Sequence, residues 1–500
     1  MSALSSRSRI LHGALPKEML RFGTPVAVGM GLQVTFNLVD AYVIARLDPE
    51  TAGPALGALG ICDQLSAIGT IVSFGLTTAS TAMIAQAHGR GDKAAVRRII
   101  WQSLLAVAAL SVLFGAAAIL LAEPILHGVV GAKGAVATLG SSYFRVNSGG
   151  AFSIFFLLQL TAIQRALGSA KTPAALLVGS NVLNLLLAVL LVYGPGPAPP
   201  VFAWATPIAA ALHIPRMELV GAAWATVIAR TVFLVPVAVN LIRRFDVLER
   251  IGQRGPDRET LRAIWTLAWP SSTQLVVRMS AMVVTHSLVA RAFTTETDQT
   301  ASTALGLVLR LETMALFVAM GWGSAAQTFV GQCIGANQPA RAVKSGWYAA
   351  AYCTVFMLAI TLAYQRWGLS IVAFFNDDER VIVASLGYVS VVAWSYLALG
   401  AGVVLGSAIT GSGATRTTLV TDMAIVLGFQ IPACVLVVVL PGATLDRLWT
   451  ALAATYMISG VAYVVVFKVA PWMRAAEQRL LAERAEVKAL PPAGTPEEAG

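Results

Sequence analysis

Apolar residues fall in long blocks rather than alternating with polar ones. Twelve such blocks lie near 22–44, 55–85, 99–121, 142–164, 174–193, 219–241, 263–291, 300–331, 346–366, 382–409, 418–440 and 448–470. A helix rises 1.5 Å per residue, so about 20 residues cross a ~30 Å hydrocarbon layer. The pattern predicts an all-α polytopic membrane protein with twelve transmembrane helices. The opening stretch, MSALSSRSRILHGALPKEMLRF, has no apolar core followed by a small-residue cleavage site. It reads as a cytoplasmic amphipathic lead-in rather than a signal peptide.

Composition agrees with this picture. Of the 500 residues, 57% are hydrophobic and 12% charged, about half the charged share of a soluble domain. The net charge of +10 invites a nucleic-acid reading, but its placement argues otherwise. With both termini inside, 24 of the 35 Lys and Arg residues fall in cytoplasmic segments, as the positive-inside rule requires. No basic tract is interleaved with stacking aromatics, so nucleic acid is not an expected partner. Four arginines are left at membrane depth: Arg145, Arg230, Arg278 and Arg310. Cys62, Cys333, Cys353 and Cys434 lie in or beside apolar blocks without a CxxC pair, and the five histidines lack metal-ligand spacing. No metal site or cofactor is predicted. The absence of GxxxxGK[ST] argues against ATP-driven transport within this chain.

The two halves repeat. Pro25 and Pro270, Tyr143 and Tyr388, Gly168 and Gly413, Lys171 and Arg416, and Thr172 and Thr417 are each 245 residues apart. Gln86 and Gln332 are 246 apart, and each is followed three residues later by a glycine, Gly89 and Gly335. Six spans per half make the repeat parallel, with an axis along the membrane normal. The predicted plan is a lead-in (1–21), an N-lobe (22–241), a cytoplasmic linker (242–262), a C-lobe (263–470) and an amphipathic, then disordered, tail (471–500). Two lobes on one linker can rock about a site between them, which is the plan of a secondary transporter rather than an enzyme.

Polar side chains inside the spans are the candidate chemistry. Gln33, Asn37 and Asp40 share one helix face, with Pro25 fifteen residues before Asp40. A carboxylate at that depth should face a bundle interior or wet cavity, where proton uptake or cation binding relieves its cost. The alternative is a solvated Asp40 near the outer mouth, paired with Arg46. Asn181 and Asn184 serve either as interhelical hydrogen-bonding groups or as amide ligands near Asp40. In span six, Gly221, Ala222, Ala223 and Ala225 permit close packing, and Thr226 adds a hydroxyl. Pro25, Gln33, Asn37 and Asn181 thus mark an N-lobe cavity face.

The C-lobe candidates are Arg278, Thr285, His286, Arg310 and Glu312. Arg278 lies eight residues after Pro270, as Gln33 lies eight after Pro25, and shares a face with Met282 and Thr285. It needs a counter-charge, and Asp40 or Glu312 could serve. Arg310 and Glu312, two apart, point to different sides of their helix. Arg145 is placed at the interface. His286 is either a capped core histidine or a proton relay. Residues 194–218 are unusually long beside the matching loop at 441–447. They read as a Pro-stiffened outer loop with a short interfacial helix at 202–213, or as an outer lid.

Four motifs then bring a family into view: Pro25 with Asp40, IAQAHGRGDKAAVRR, QRALGSAKTPA, and LGLVLRLETMALFVAMGWGSAAQTFVGQCIGANQPARAVKSG. The chain resembles the multidrug and toxic-compound extrusion family from about residue 15 to 470. The resemblance implies a monomeric twelve-helix exporter in the bacterial inner membrane, exchanging H⁺ or Na⁺ for amphipathic, often cationic, small molecules. It also implies a cation site at Asp40, Asn184 and Thr226. Two family positions that are often acidic are Ala188 and Arg278 here. These departures favour protonation of Asp40 over sodium binding, with Arg278 a fixed counter-charge that discourages cations. The second expectation is an uncoupled or anion-directed flippase moving an anionic or lipid-linked metabolite past Arg278.

Overall fold

A computed structural model describes residues 6–245, 255–295, 297–469 and 472–473. Among them every regular element is helical. The first half comprises α1 (Ser6–His12), α2 (Leu15–Ala45), α3 (Pro49–Arg90), α4 (Lys93–Glu123), α5 (Gly134–Gly149), α6 (Ala151–Ala166), α7 (Lys171–Tyr193), α8 (Ala205–Ala211) and α9 (Glu218–Phe245). The second comprises α10 (Arg258–Ala292), α11 (Thr300–Gly335), α12 (Pro339–Phe375), α13 (Glu379–Gly411), α14 (Thr415–Ile425), α15 (Ile431–Val439) and α16 (Leu445–Val469). Eleven segments are long and apolar enough to cross a bilayer, with α5–α6 and α14–α15 each counting as one. The 31-residue α2 is the twelfth. Part of the predicted linker (246–254) and most of the predicted tail lie outside the described residues, as do the side chains of Gln33 and Asn37.

Two predicted spans are interrupted, and each break has a local cause. The fourth span stops at Gly149 and restarts at Ala151. A side chain on Gly150 would approach Val227 to 2.5 Å, so the glycine lets α9 pack close. The matching positions in the second half are Trp394 and Ser395, and α13 runs through them unbroken. The eleventh span widens into a π-helical turn at Val426–Gln430. Pro432 has no N–H to continue the α-helical ladder, and its ring would strike the carbonyl four residues earlier; the wider turn relieves both.

The long loop between α7 and α9 carries a 3₁₀ turn at Pro200–Phe202 and the short α8. Phe202 packs against Tyr193 and Tyr42, and Arg216 bonds to Asp48. The loop therefore caps one end of the N-lobe. Arg145 pairs with Glu123 at 2.9 Å, both partly exposed.

The lobes meet through the first two long helices of each half. Near the end rich in Lys and Arg, α2 sends Met19, Phe22 and Val26 into the C-lobe core beside Trp322 and Phe329. Reciprocally, α10 sends Ile264, Leu267 and Ala268 among Leu76, Val107 and Phe155 of the N-lobe. At this same end the repeat becomes a contact. Gln86 Nε2 donates to the Gly411 carbonyl at 3.0 Å, and Gln332 Nε2 donates to the Ala166 carbonyl at 2.7 Å. Ala166 and Gly411 are the last residues of α6 and α13, whose carbonyls have no partner in their own helix. Each lobe thus caps a helix of the other. Gly89 and Gly335 make this approach possible, since an added Cβ would lie 2.1 Å from the Gln332 oxygen and 2.0 Å from the Gln86 oxygen. Further inter-lobe bonds gather nearby: Arg165 to Ser324 at 3.0 Å and Gln327 to the Thr78 carbonyl at 2.9 Å.

Candidate functional site

Inside the N-lobe, α2, α7 and α9 converge on one polar centre. Asn184 Nδ2 donates to Asp40 Oδ1 at 3.1 Å. The Thr226 hydroxyl lies 3.2 Å from Asp40 Oδ2 and 3.1 Å from Asn184 Oδ1. All three side chains are buried, with Asp40 7% exposed. The register of α7 on α2 is held above and below this ring. Asn181 Nδ2 donates to the Leu32 carbonyl at 3.2 Å, and Tyr193 OH to the Val43 carbonyl at 2.7 Å. Ala222, Ala223 and Ala225 are fully buried, so α9 approaches closely enough for Thr226 to reach the carboxyl. Arg46 lies over the Tyr42 ring at 5.2 Å and takes no part in the ring around Asp40. Ala188 is fully buried.

Two further charges act here that the sequence reading did not assign to the site. Asp63 on α3 and Arg230 on α9 both act electrostatically on Asp40, and Arg230 also acts on Asp63. Two carboxyls and one guanidinium therefore act on one another electrostatically here. With both ionised, the centre carries one surplus negative charge, which a single proton cancels.

The C-lobe holds a second polar centre, and it corrects the expected pairing of Arg278. The partner is Asp422 of α14, neither Asp40 nor Glu312. Arg278 Nε lies 2.6 Å from Asp422 Oδ2 and Nη2 lies 3.1 Å from Oδ1, a bidentate geometry. Gln274 Nε2 and Tyr463 OH, each at 2.7 Å, complete the shell of Asp422. The Asp422 side chain is 3% exposed and that of Arg278 29%. The guanidinium is thus fixed in place and neutralised by Asp422, rather than paired with Asp40 or Glu312 as expected from the sequence.

Glu312 sits apart from that pair. It accepts from Tyr388 OH on one oxygen and from Tyr456 OH, at 2.7 Å, on the other. Arg310, two residues earlier, is exposed. Thr285 is buried and donates to the Ala281 carbonyl at 2.8 Å. His286 places Nδ1 3.2 Å from the Met282 carbonyl of its own helix. A cavity of about 200 Å³ opens between α10, α11, α13, α14 and α16, lined by Arg278, Thr285, Glu312, Asp422 and Tyr456 among apolar side chains. His286 and Arg310 are not part of its lining. The π-helical turn supplies Val426 and Gln430 to the same wall.

Asp422 and Asp63 were open to discovery from the sequence. The predicted spans contain four carboxyls, Asp40, Asp63, Glu312 and Asp422, against four arginines at membrane depth, Arg145, Arg230, Arg278 and Arg310. Matching every buried arginine to a buried acid puts all four on the candidate roster. The tyrosines carried no such signal, because Tyr388 and Tyr456 meet Glu312 only through helix packing.

A family model described as MatE matches residues 25–190 and 276–436. A curated relative described as a FAD transporter, from Shewanella oneidensis, is 24% identical over 463 residues, covering 92% of this chain and 96% of its own. Another, described as the probable multidrug resistance protein NorM of Deinococcus radiodurans, is 26% identical, covering 90% and 94%. Among solved structures, an outward-facing multidrug resistance MATE family transporter superposes with a TM-score of 0.80 at 20% identity, covering 94% of this chain and 98% of that one.

Proposed function

The chain belongs to the MatE family of membrane transporters, and from that premise we propose that it is a proton-coupled exporter whose coupling group is Asp40. Its cargo is an amphipathic drug or toxic metabolite, and its route is alternating access between two lobes. The basic end faces the cytoplasm of a bacterial cell, both termini lie on that side, and the monomer is the working unit.

The observation that carries this reading is the N-lobe centre, where Asn184 and Thr226 enclose Asp40 and the charges of Asp63 and Arg230 act on it. One proton restores neutrality. Protonation also turns one Asp40 oxygen from acceptor to donor, so the ring joining α2, α7 and α9 must rearrange. A charge event thereby becomes a packing event. Sodium is less favoured than the proton, since the Asn184 oxygen is already engaged by Thr226 and hard cations require several free oxygen ligands.

Efflux of a cationic dye from a sensitive host should collapse in Asp40→Asn, whose side chain keeps its shape but cannot cycle a proton. Full activity in that variant overturns the coupling role. Proteoliposomes under imposed pH or sodium gradients separate the two ions. A second reading, export of an anionic metabolite, draws on the partly open face of Arg278 and on the FAD transporter relative. It predicts transport that is insensitive to proton and sodium ionophores and is lost in Arg278→Ala.

A further inference from the structure

The motif QRALGSAKTPA takes no part in the chemistry at Asp40. Its start ends α6 at Ala166, and Lys171 begins α7. Between them Gly168 turns the chain with φ +85°, a conformation that glycine adopts without strain. The turn satisfies the N–H groups of Leu167, Gly168 and Ser169 on the carbonyls of Ile163, Arg165 and Gln164. The next three N–H groups, of Ala170, Lys171 and Thr172, have no acceptor among the described residues. They stand at the head of the 23-residue α7, where the helix dipole favours negative charge.

This turn forms one wall of a cavity of about 220 Å³ at the seam between the lobes. α1 and α2 form another wall. Phe329 of α11 closes it from the C-lobe, edge-on to Phe22 at 5.5 Å. A second feature, independent of the helix end, points to a ligand. Ser169 is 7% exposed and lines the cavity, and its hydroxyl has no hydrogen-bond partner among the described residues. Leaving such a group unsatisfied is costly. The repeat shows that this hydroxyl is not part of the common scaffold. In the second half Gly413 has the same φ and Arg416 matches Lys171, but Ala414 stands where Ser169 would.

Charge selects the guest. Arg9, Arg21 and Lys171 line the cavity against a single acid, Glu18, which lies 3.8 Å from Arg9. Arg21 and Lys171 are exposed, so both side chains can swing over a group seated at the turn. Backbone N–H groups and a hydroxyl on one side, with two cations on the other, suit the tetrahedrally placed oxygens of a phosphate. We propose that this cavity is a binding site for a phosphate group, carried by an anionic lipid headgroup of the cytoplasmic leaflet or by a soluble phosphate ester. Bound there, the phosphate joins α2 to α7, the two helices that carry Asp40 and Asn184.

The test is equilibrium binding by calorimetry to the purified full chain in a maltoside detergent, with no ion gradient. The probes are inorganic phosphate and dihexanoylphosphatidic acid. At least one should bind saturably. Arg21→Gln combined with Lys171→Gln should weaken that binding about tenfold or more, as expected for loss of charged partners. Ser169→Leu should abolish it by filling the cavity while leaving both charges in place, and it decides the matter if the double variant fails to fold. Tighter binding of the lipid than of inorganic phosphate supports the headgroup as the source, and equal or weaker binding supports a soluble ester. Absence of saturable binding by both probes overturns the proposal, as does unchanged affinity in either folded variant. Because no gradient is applied, these outcomes are independent of the coupling reading at Asp40.

Discussion

The paired glutamines at the lobe interface make the relative stability of the closed basic end a measurable quantity. Replacing Gln332 by Ala removes its 2.7 Å bond to the Ala166 carbonyl, the orphan end of α6. A neutral hydrogen bond is worth about 0.5–1.5 kcal/mol net, and leaving its buried partner unsatisfied costs about 1–3 kcal/mol. That penalty falls only on the closed arrangement, because parting the lobes exposes the carbonyl to water. Gln332 is fully buried, so its loss should move the closed-to-open ratio about 5- to 150-fold. Gln86 is only partly buried and makes a longer bond, 3.0 Å, so Gln86→Ala should move it less. The double variant should move it furthest. The natural cysteines are all buried, so spin or fluorescent labels can be directed to Lys93→Cys and Lys344→Cys, exposed positions on opposite lobes at the basic end. Distance distributions between them should gain a long component in the order double, Gln332→Ala, Gln86→Ala. A double variant with the same distribution as the parent refutes the reasoning.

The same labels test the glycines that permit the approach. Gly89→Ala or Gly335→Ala places a Cβ within about 2 Å of a backbone oxygen of the other lobe, and backbone cannot swing aside. Each should lengthen the label distance and slow export while helix content is retained. In the C-lobe, Arg278→Ala leaves Asp422 buried without its cation, at a cost of about 3–5 kcal/mol visible as a lower unfolding midpoint in detergent. Arg278→Ala combined with Asp422→Ala should recover much of that loss. A double variant no more stable than the single would show that the pair is not the source of the penalty.

The span pattern and the repeat were legible in the sequence because each rests on local chemistry: block hydropathy, and residue types recurring at one spacing. The offset between Gln86 and Gln332 marked a relation, but its meaning became visible only when Gly411 and Ala166 were found opposite those two side chains. The interruptions at Gly149–Gly150 and Val426–Gln430 were not anticipated. Hydropathy averages over a window of residues, whereas a missing N–H at Pro432 or the nearness of Val227 to Gly150 acts at a single peptide unit. The short helix in the loop after Tyr193 was expected over 202–213, and α8 spans Ala205–Ala211 after a 3₁₀ turn.

The centres were harder to read, since charge pairing depends on helix rotation that a count of residues does not contain. Four acids within the predicted spans and four arginines at membrane depth suggest a neutral interior. The fold distributes them unevenly. Arg145 leaves the interior to meet Glu123, and Arg310 faces outward. Arg278 is paired with Asp422, and the charge of Arg230 acts on both Asp40 and Asp63. Among the described residues, that leaves Asp40 and Asp63 acting on one arginine in the first lobe and Glu312 held by two tyrosines in the second. An uncompensated carboxylate at membrane depth is tolerated when a proton or a mobile cation can neutralise it. Arg278, read from the sequence as a reason to expect anions, is not an unpaired positive charge once its partner Asp422 is known.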